Sequence, residues 1–114
     1  MDSPVTVLVD ARNVLRSLWP NIPEDEVVER TRRWAEERGH EAVIVFDGAA
    51  PAGGVGTGRE SADDWLAREA AGLARDGRPY WLVTSDRELR RRAGQDAEQV
   101  IGGGSFARQL TGSG

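Results

Sequence analysis

Four acidic elements hold the residues of this chain best suited to chemistry. Val7-Leu8-Val9 runs into Asp10, Ile44-Val45-Phe46 into Asp47, and Leu82-Val83-Thr84-Ser85 into Asp86, while Ser61-Ala62-Asp63-Asp64 opens a helical pattern. Carboxylates are hard oxygen donors of the kind that hold Mg²⁺ or Mn²⁺. Apolar runs that each end in an acid read as strands, and in a parallel sheet the carboxyl ends of the strands lie on one edge, where such folds bind ligands. Two unit charges about 4 Å apart repel by roughly 4 kcal/mol at an effective dielectric near 20, so acids gathered there must take up protons or hold cations. Each acid has an ordinary explanation taken singly. Asp86 suits the cap of a following helix, Asp63 and Asp64 suit the positive end of a helix dipole, and Asp47-Gly48 is a turn. Four such elements at one edge point to a functional site, because a design for stability does not collect like charges.

The elements that must position these acids are legible as alternating patterns. Continuous apolar runs predict buried strands over 5–9, 42–46, 80–84 and 98–101. Between them, Val27, Val28, Thr31, Trp34 and Ala35 share one face of a helix over 24–38, started by Pro23 and stopped by Gly39. Ala62, Trp65, Leu66, Ala70 and Leu73 repeat the pattern over 62–75, with Ser61 and Asp64 as a capping pair and Asp76-Gly77 as the stop. Short helices are predicted over 87–92 and 105–110. Strands alternating with helices imply right-handed β-α-β units and a three-layer α/β/α domain around a parallel sheet of about four strands. The segment Gly53-Gly54-Val55-Gly56-Thr57-Gly58 reads as a flexible lid or linker, the first place to expect disorder.

Composition narrows the chemistry further. At 114 residues the chain is one domain, 1–114, so any function must sit on the sheet edge itself. The absence of cysteine excludes disulfides, thiol nucleophiles and Cys-based zinc sites, and one histidine, His40, argues against a Ser-His-Asp triad. His40 follows Gly39 and is expected at the surface. No apolar run reaches the ~20 residues that span a bilayer, and the start lacks the basic region of a signal peptide, which sets a cytoplasmic expectation with no membrane partner. The net charge is −4, but setting aside Asp10, Asp47, Asp63, Asp64 and Asp86, which a cation would neutralise, turns it into +1. All the basic residues are arginine, the better fork for phosphate, although an arginine-rich, lysine-free chain also fits genomic base composition.

Other acidic-site families fit less well. A haloacid-type phosphatase wants an aspartate where Arg12 stands, and a receiver domain needs a lysine. The glycine segment has the spacing of a P-loop but continues Arg59-Glu60 in place of Lys-Ser/Thr. By contrast, Val9-Asp10-Ala11-Arg12-Asn13-Val14, Val45-Phe46-Asp47-Gly48, Glu60-Ser61-Ala62-Asp63-Asp64-Trp65 and Val83-Thr84-Ser85-Asp86-Arg87-Glu88-Leu89 resemble, in order, the successive motifs of the bacterial YacP-like NYN domains of the PIN-like ribonuclease superfamily. The resemblance implies a PIN-like, Rossmann-like fold and a metal-dependent endoribonuclease that leaves 5′-phosphate and 3′-hydroxyl ends. Carried over by position, it makes Asp10, Asp47, Asp63 and Asp86 the catalytic, metal-binding cluster for Mg²⁺ or Mn²⁺, with Asn13 a polar neighbour. This chain departs from the family pattern at Ala11 and Arg12, where members often have glycine and an aromatic residue.

On that reading Asn13 and Ser85 orient the metal ligands, and Arg12, Arg59 and Arg87 contact RNA. Asp64 is read as a capping-turn residue, Arg90-Arg91-Arg92 as a solvated helix face, and Trp34 and Trp65 as core. Trp19, in Leu18-Trp19-Pro20, could stack on a base. The expected partner is single-stranded RNA, whose exposed phosphates can reach a shallow sheet edge. Two alternatives keep the fold: a non-catalytic RNA-binding or ribosome-associated module, and a DNA-directed nuclease.

Overall fold

The computed structural model describes residues 4–18 and 22–111. Its centre is a five-stranded, all-parallel sheet in the order β3-β2-β1-β4-β5, built from β1 (Thr6–Asp10), β2 (Glu41–Phe46), β3 (Val55–Gly56), β4 (Tyr80–Val83) and β5 (Gln99–Ile101). The chain winds outward from β1 to β2 and β3, then returns to lay β4 on the other side of β1. The direction of winding therefore reverses beside β1, and a crevice opens beyond the carboxyl ends of β1 and β4. Register places Asp10 opposite Val45 and Val9 opposite Val83, so the two neighbours of β1 end level with it.

Because side chains alternate across a strand, β1 serves two cores. Val7 and Val9 pack with Ile44, Phe46 and Val83 under α1 (Ala11–Arg16), α2 (Glu24–Glu37) and α5 (Gly103–Thr111). Leu8 packs with Val45 and Leu82 on the opposite face, under α3 (Ala62–Arg75) and α4 (Arg87–Ala93). The α2 face buries Val27, Val28, Thr31, Trp34 and Ala35, as the periodicity predicts. On α3, Ala62, Leu66, Ala70 and Leu73 are buried, while Trp65 is half-buried against the same cluster. Trp34 is core, and its indole N–H donates to Gln109 Oε1 at 3.0 Å. The predicted exposure of Trp19 lies outside the described residues.

The structure departs from the sequence reading in three details. First, the sheet has five strands, because the glycine segment is neither lid nor linker. Val55 pairs with Val45, the Thr57 N–H donates to the Phe46 carbonyl, and the Gly58 N–H donates to the Gly48 carbonyl. Glycine is used here for close approach: a Cβ on Gly54 would stand 2.9 Å from the Phe46 ring, and one on Gly56 would stand 2.6 Å from the Gly48 carbonyl oxygen. Gly56→Ala is therefore expected to detach β3 and cost about 1–3 kcal/mol, seen as a lower midpoint in urea unfolding. An unchanged midpoint would show that the edge strand contributes nothing. Second, a short helix, α1, follows β1 directly. Third, the His40 ring is not free at the surface but packs edge-on against Trp81, with centroids 4.6 Å apart.

Candidate active site

Strand alternation aims the acids before any helix is considered. Leu8, Val45 and Leu82 point to the α3 and α4 face, so Asp10, Asp47 and Thr84, each two residues farther along, continue on that side at the carboxyl edge. The amino end of α3 closes over the same edge and brings Asp63, while Asp86 arrives from the turn after β4. The result is one cleft of about 230 Å³ lined by Asp10, Arg12, Asn13, Arg16, Asp47, Ser61, Asp63 and Asp86. The four aspartates expected to work together are thus brought together, each from a different segment of the chain.

Their environments differ. Asp10 is buried, and its Oδ2 accepts from the Thr84 hydroxyl at 3.0 Å. Burial pushes its carboxyl above the usual range; Thr84 and the Asn13 N–H hold it down, and the nearby Asp63 and Asp47 push it up further. That N–H favours the charged form without closing a capping bond. Asp63 is half-buried and is also raised, first by desolvation and then by Asp86 and Asp47, with Arg92 opposing. Asp47 and Asp86 are exposed and fasten backbone. Asp47 Oδ1 accepts from the Ala62 N–H at 2.8 Å, which ties the end of β2 to the start of α3, and Asp86 Oδ1 caps α4 through the Leu89 N–H at 2.9 Å. Among the described residues no three His, Cys, Asp or Glu side chains stand close enough to enclose a metal ion directly. Like charges repel, and Asp10, Asp47 and Asp86 have amides or a hydroxyl to turn toward, so the carboxylates share a cleft without forming a cage.

The polar neighbours form a girdle behind the acids. The Ser85 N–H donates to Asn13 Oδ1 at 2.9 Å, and the Gly103 N–H donates to Ser85 Oγ at 2.8 Å. Only the Asn13 backbone N–H meets Asp10; the side chains of Asn13 and Ser85 lock α1, the turn after β4 and the start of α5 to one another and make no side-chain hydrogen bond to a carboxylate. That contact with Asp10 is made by Thr84, which sequence reasoning passed over. Fully buried, its hydroxyl oxygen also accepts from the Asp86 N–H at 3.1 Å. A hydroxyl closing an apolar strand directly before Ser-Asp was the available signal.

The arginines divide. Arg12 lines the cleft, its Nη1 3.8 Å from Asp47 Oδ2. Arg59 and Arg87 are exposed and do not line it. Arg16, which the sequence reading did not single out, does line it, and recognising α1 would have placed it one turn beyond Arg12. Asp64 takes part in the α3 cap through its N–H to Ser61 Oγ and pairs with Arg92 at 2.8 Å, outside the cleft. Arg90 reaches back to donate from Nε to the Thr84 carbonyl at 2.9 Å, and Arg91 pairs with Glu88, so this run is structural rather than an open basic face.

A parallel sheet with helices on both faces and an acidic cleft at its carboxyl edge makes a three-layer α/β/α fold with a candidate site at the edge where such folds bind ligands. The fold is YacP-like: it is similar to the crystal structure of a mutant of Rae1 (YacP) from Bacillus subtilis, with a TM-score of 0.75 over 94% of this chain and 75% of that one, at 20% sequence identity. No protein-family model matches the chain, and no curated protein matches it.

Proposed function

We propose that the cleft is the active site of a Mg²⁺- or Mn²⁺-dependent endoribonuclease acting on single-stranded RNA. The observation that carries this reading is the meeting of Asp10, Asp47, Asp63 and Asp86 with Arg12 and Arg16 in one cleft at the reversal point of a YacP-like sheet. Four carboxylates against two guanidiniums leave the cleft negative, so a phosphate enters only with a cation. The donor set fits such an ion in kind, since all the carboxylates are hard oxygen ligands. It also fits in spacing, because Mg²⁺ keeps several waters and needs only one or two direct carboxylates.

Asp10 and Asp63 are the residues that would hold the cation, because burial and crowding make their charges most in need of one; Asp47 and Asp86 complete the ring. A bound divalent ion supplies a more acidic water and a charge to meet the one that develops on the phosphoryl oxygens. Thr84 keeps Asp10 in one orientation through its hydroxyl. Asp86, positioned by the Thr84 oxygen at its own N–H and by its cap of α4, lines the cleft. Arg12 takes the incoming phosphate in exchange for its loose contact with Asp47. Asn13 and Ser85 keep the wall beneath Asp86 from shifting.

The test is cleavage of labelled single-stranded RNA by the protein with Mn²⁺, with Mg²⁺ and with EDTA, beside Asp63→Asn. Asp63 makes no side-chain hydrogen bond among the described residues, so this replacement removes charge with little rearrangement. Metal-dependent cutting that is lost in Asp63→Asn is the expected outcome. A second reading, an RNA-binding module without turnover, is favoured by the lack of three closely converging ligands. RNA binding that survives Asp63→Asn, with no cutting under any metal, would replace the first reading with this one. Preferential cutting of single-stranded DNA would redirect the assignment to a DNA nuclease.

A further inference from the structure

We infer that Arg12 and Arg16 form a two-step phosphate grip, through which the cleft takes a polynucleotide with at least two successive phosphodiesters. Arg12 holds the phosphate that enters the carboxylate ring, and Arg16 holds the next one along the strand. The inference rests on the reading that the cleft receives RNA.

The placement of α1 carries the argument. This helix starts from Asp10 itself, and Ala11 and Val14, both fully buried, fix its rotation about its axis. With that face inward, Arg12 and Arg16 stand about one helical turn apart, roughly 6 Å along the axis, and both reach the same cleft. Arg12 is held only loosely: its 3.8 Å contact with Asp47 joins side chains 64% and 36% exposed, a pair weak enough to be exchanged for a phosphate. Arg16 has no carboxylate partner among the described residues, so its guanidinium fork is available for bidentate contact with phosphate oxygens. Its other role would be as a cation in the last turn of α1, complementing the helix dipole. Both cations address the backbone, so the grip measures strand length and carries no base preference.

The experiment has a binding arm and a cleavage arm. Binding of a fluorescent single-stranded oligoribonucleotide is followed by anisotropy in Mg²⁺ over a range of salt, in an Asp63→Asn background so that the strand stays intact. Arg16→Gln added to that background is expected to weaken binding about tenfold and to lower the salt slope by about 0.7, the share of one single-strand phosphate contact. Arg12→Gln is expected to do the same. In the cleavage arm, with Asp63 restored, Arg16→Gln is expected to lower kcat/KM about tenfold for the oligonucleotide and by a clearly smaller factor for a dinucleotide with one phosphodiester. Arg12→Gln is expected to lower both.

A salt slope that Arg16→Gln does not move overturns the grip, as does an equal loss on both substrates. If Arg16→Gln lowers the melting temperature and nothing else, Arg16 is a dipole partner and the grip falls. Native protein that cuts RNA as well as Arg16→Gln removes the grip and keeps the nuclease reading. Native protein that binds RNA with the expected arginine dependence but never cuts keeps the grip and removes the nuclease reading. Absence of RNA binding in any condition overturns both.

Discussion

Asp10→Asn is expected to make the metal-free protein more stable at neutral pH and to abolish RNA cleavage. Asp10 is 7% exposed, and its carboxyl is raised above 3.8 mainly by burial, with Asp63 and Asp47 adding to the shift. A group whose folded pKa lies above its unfolded value binds its proton more tightly in the folded state. Its favourable contribution is complete below the unfolded value and is lost as pH rises through the folded one. At pH 7 the charge is therefore a penalty, and Asn removes it. The replacement preserves the contact that Asp10 does make, since an asparagine side-chain oxygen can still accept from the Thr84 hydroxyl. A gain of about 1 kcal/mol, or roughly 4–8 °C in a domain this size, is the scale expected when a functional residue is relieved of strain. Calorimetry in EDTA at pH 7 and near pH 4 checks it. The advantage of Asp10→Asn should shrink at the lower pH, because less of the native carboxyl carries a charge there. Cleavage in Mn²⁺ should fall by roughly a hundredfold or more, because the lost oxygen is a proposed cation ligand. A lower melting temperature in EDTA would show that the charge of Asp10 supports the fold, and unchanged cleavage would remove Asp10 from the site.

Gly103→Ala should cost more stability than any exposed substitution in the molecule. A Cβ at this position would stand 2.0 Å from Asn13 Oδ1 and 3.2 Å from the Asn13 carbonyl oxygen. The amide oxygen cannot simply swing away, because it accepts from the Ser85 N–H, and Ser85 Oγ in turn accepts from the Gly103 N–H. Displacing Asn13 leaves the Ser85 N–H without its partner and lets α5 lift from α1, for a loss of about 2–4 kcal/mol. A double-mutant cycle isolates the cause. In an Asn13→Ala background the methyl group of Gly103→Ala has room, so most of its cost should vanish. Additive losses would mean that the clash lies with the backbone and not with the Asn13 side chain. The same lesion should reduce cleavage, since the displaced turn carries Asp86.

These two residues also show what the sequence makes legible. Asp10 could be placed at the cleft because the argument needed mainly strand direction: apolar runs ending in acids, laid parallel, bring those acids to one edge of the sheet. The buried stripes of α2 and α3 were readable for a similar reason, as periodicity is local. Gly103 was not, because its constraint is the position of Asn13, ninety positions earlier, and no local pattern reports it. The link from Asp47 to the Ala62 N–H and the orientation of Asp10 by Thr84 are hidden in the same way. β3 escaped notice because a two-residue strand among glycines has no alternation to detect, and its glycines are there to let backbones touch. α1 escaped because six residues make fewer than two turns, and its two buried positions, Ala11 and Val14, do not make a stripe. Missing α1 meant missing Arg16, while Arg59 and Arg87 were chosen for their nearness in sequence to acidic motifs and stand outside the cleft.

The place of β1 at the centre of the sheet has a consequence for how the chain reaches this state. β1 comes first in sequence but is flanked by strands that come much later, with Thr6 opposite Glu41 on one side and Tyr80 on the other. Neither core can close around β1 until β4 has been made, and loop-closure entropy on that scale slows the search. The contact between Thr84 and Asp10, spanning 74 positions, belongs to the same late step. The cleft therefore assembles only when the last central strand docks, so a nascent or partly folded chain holds the aspartates without holding the site.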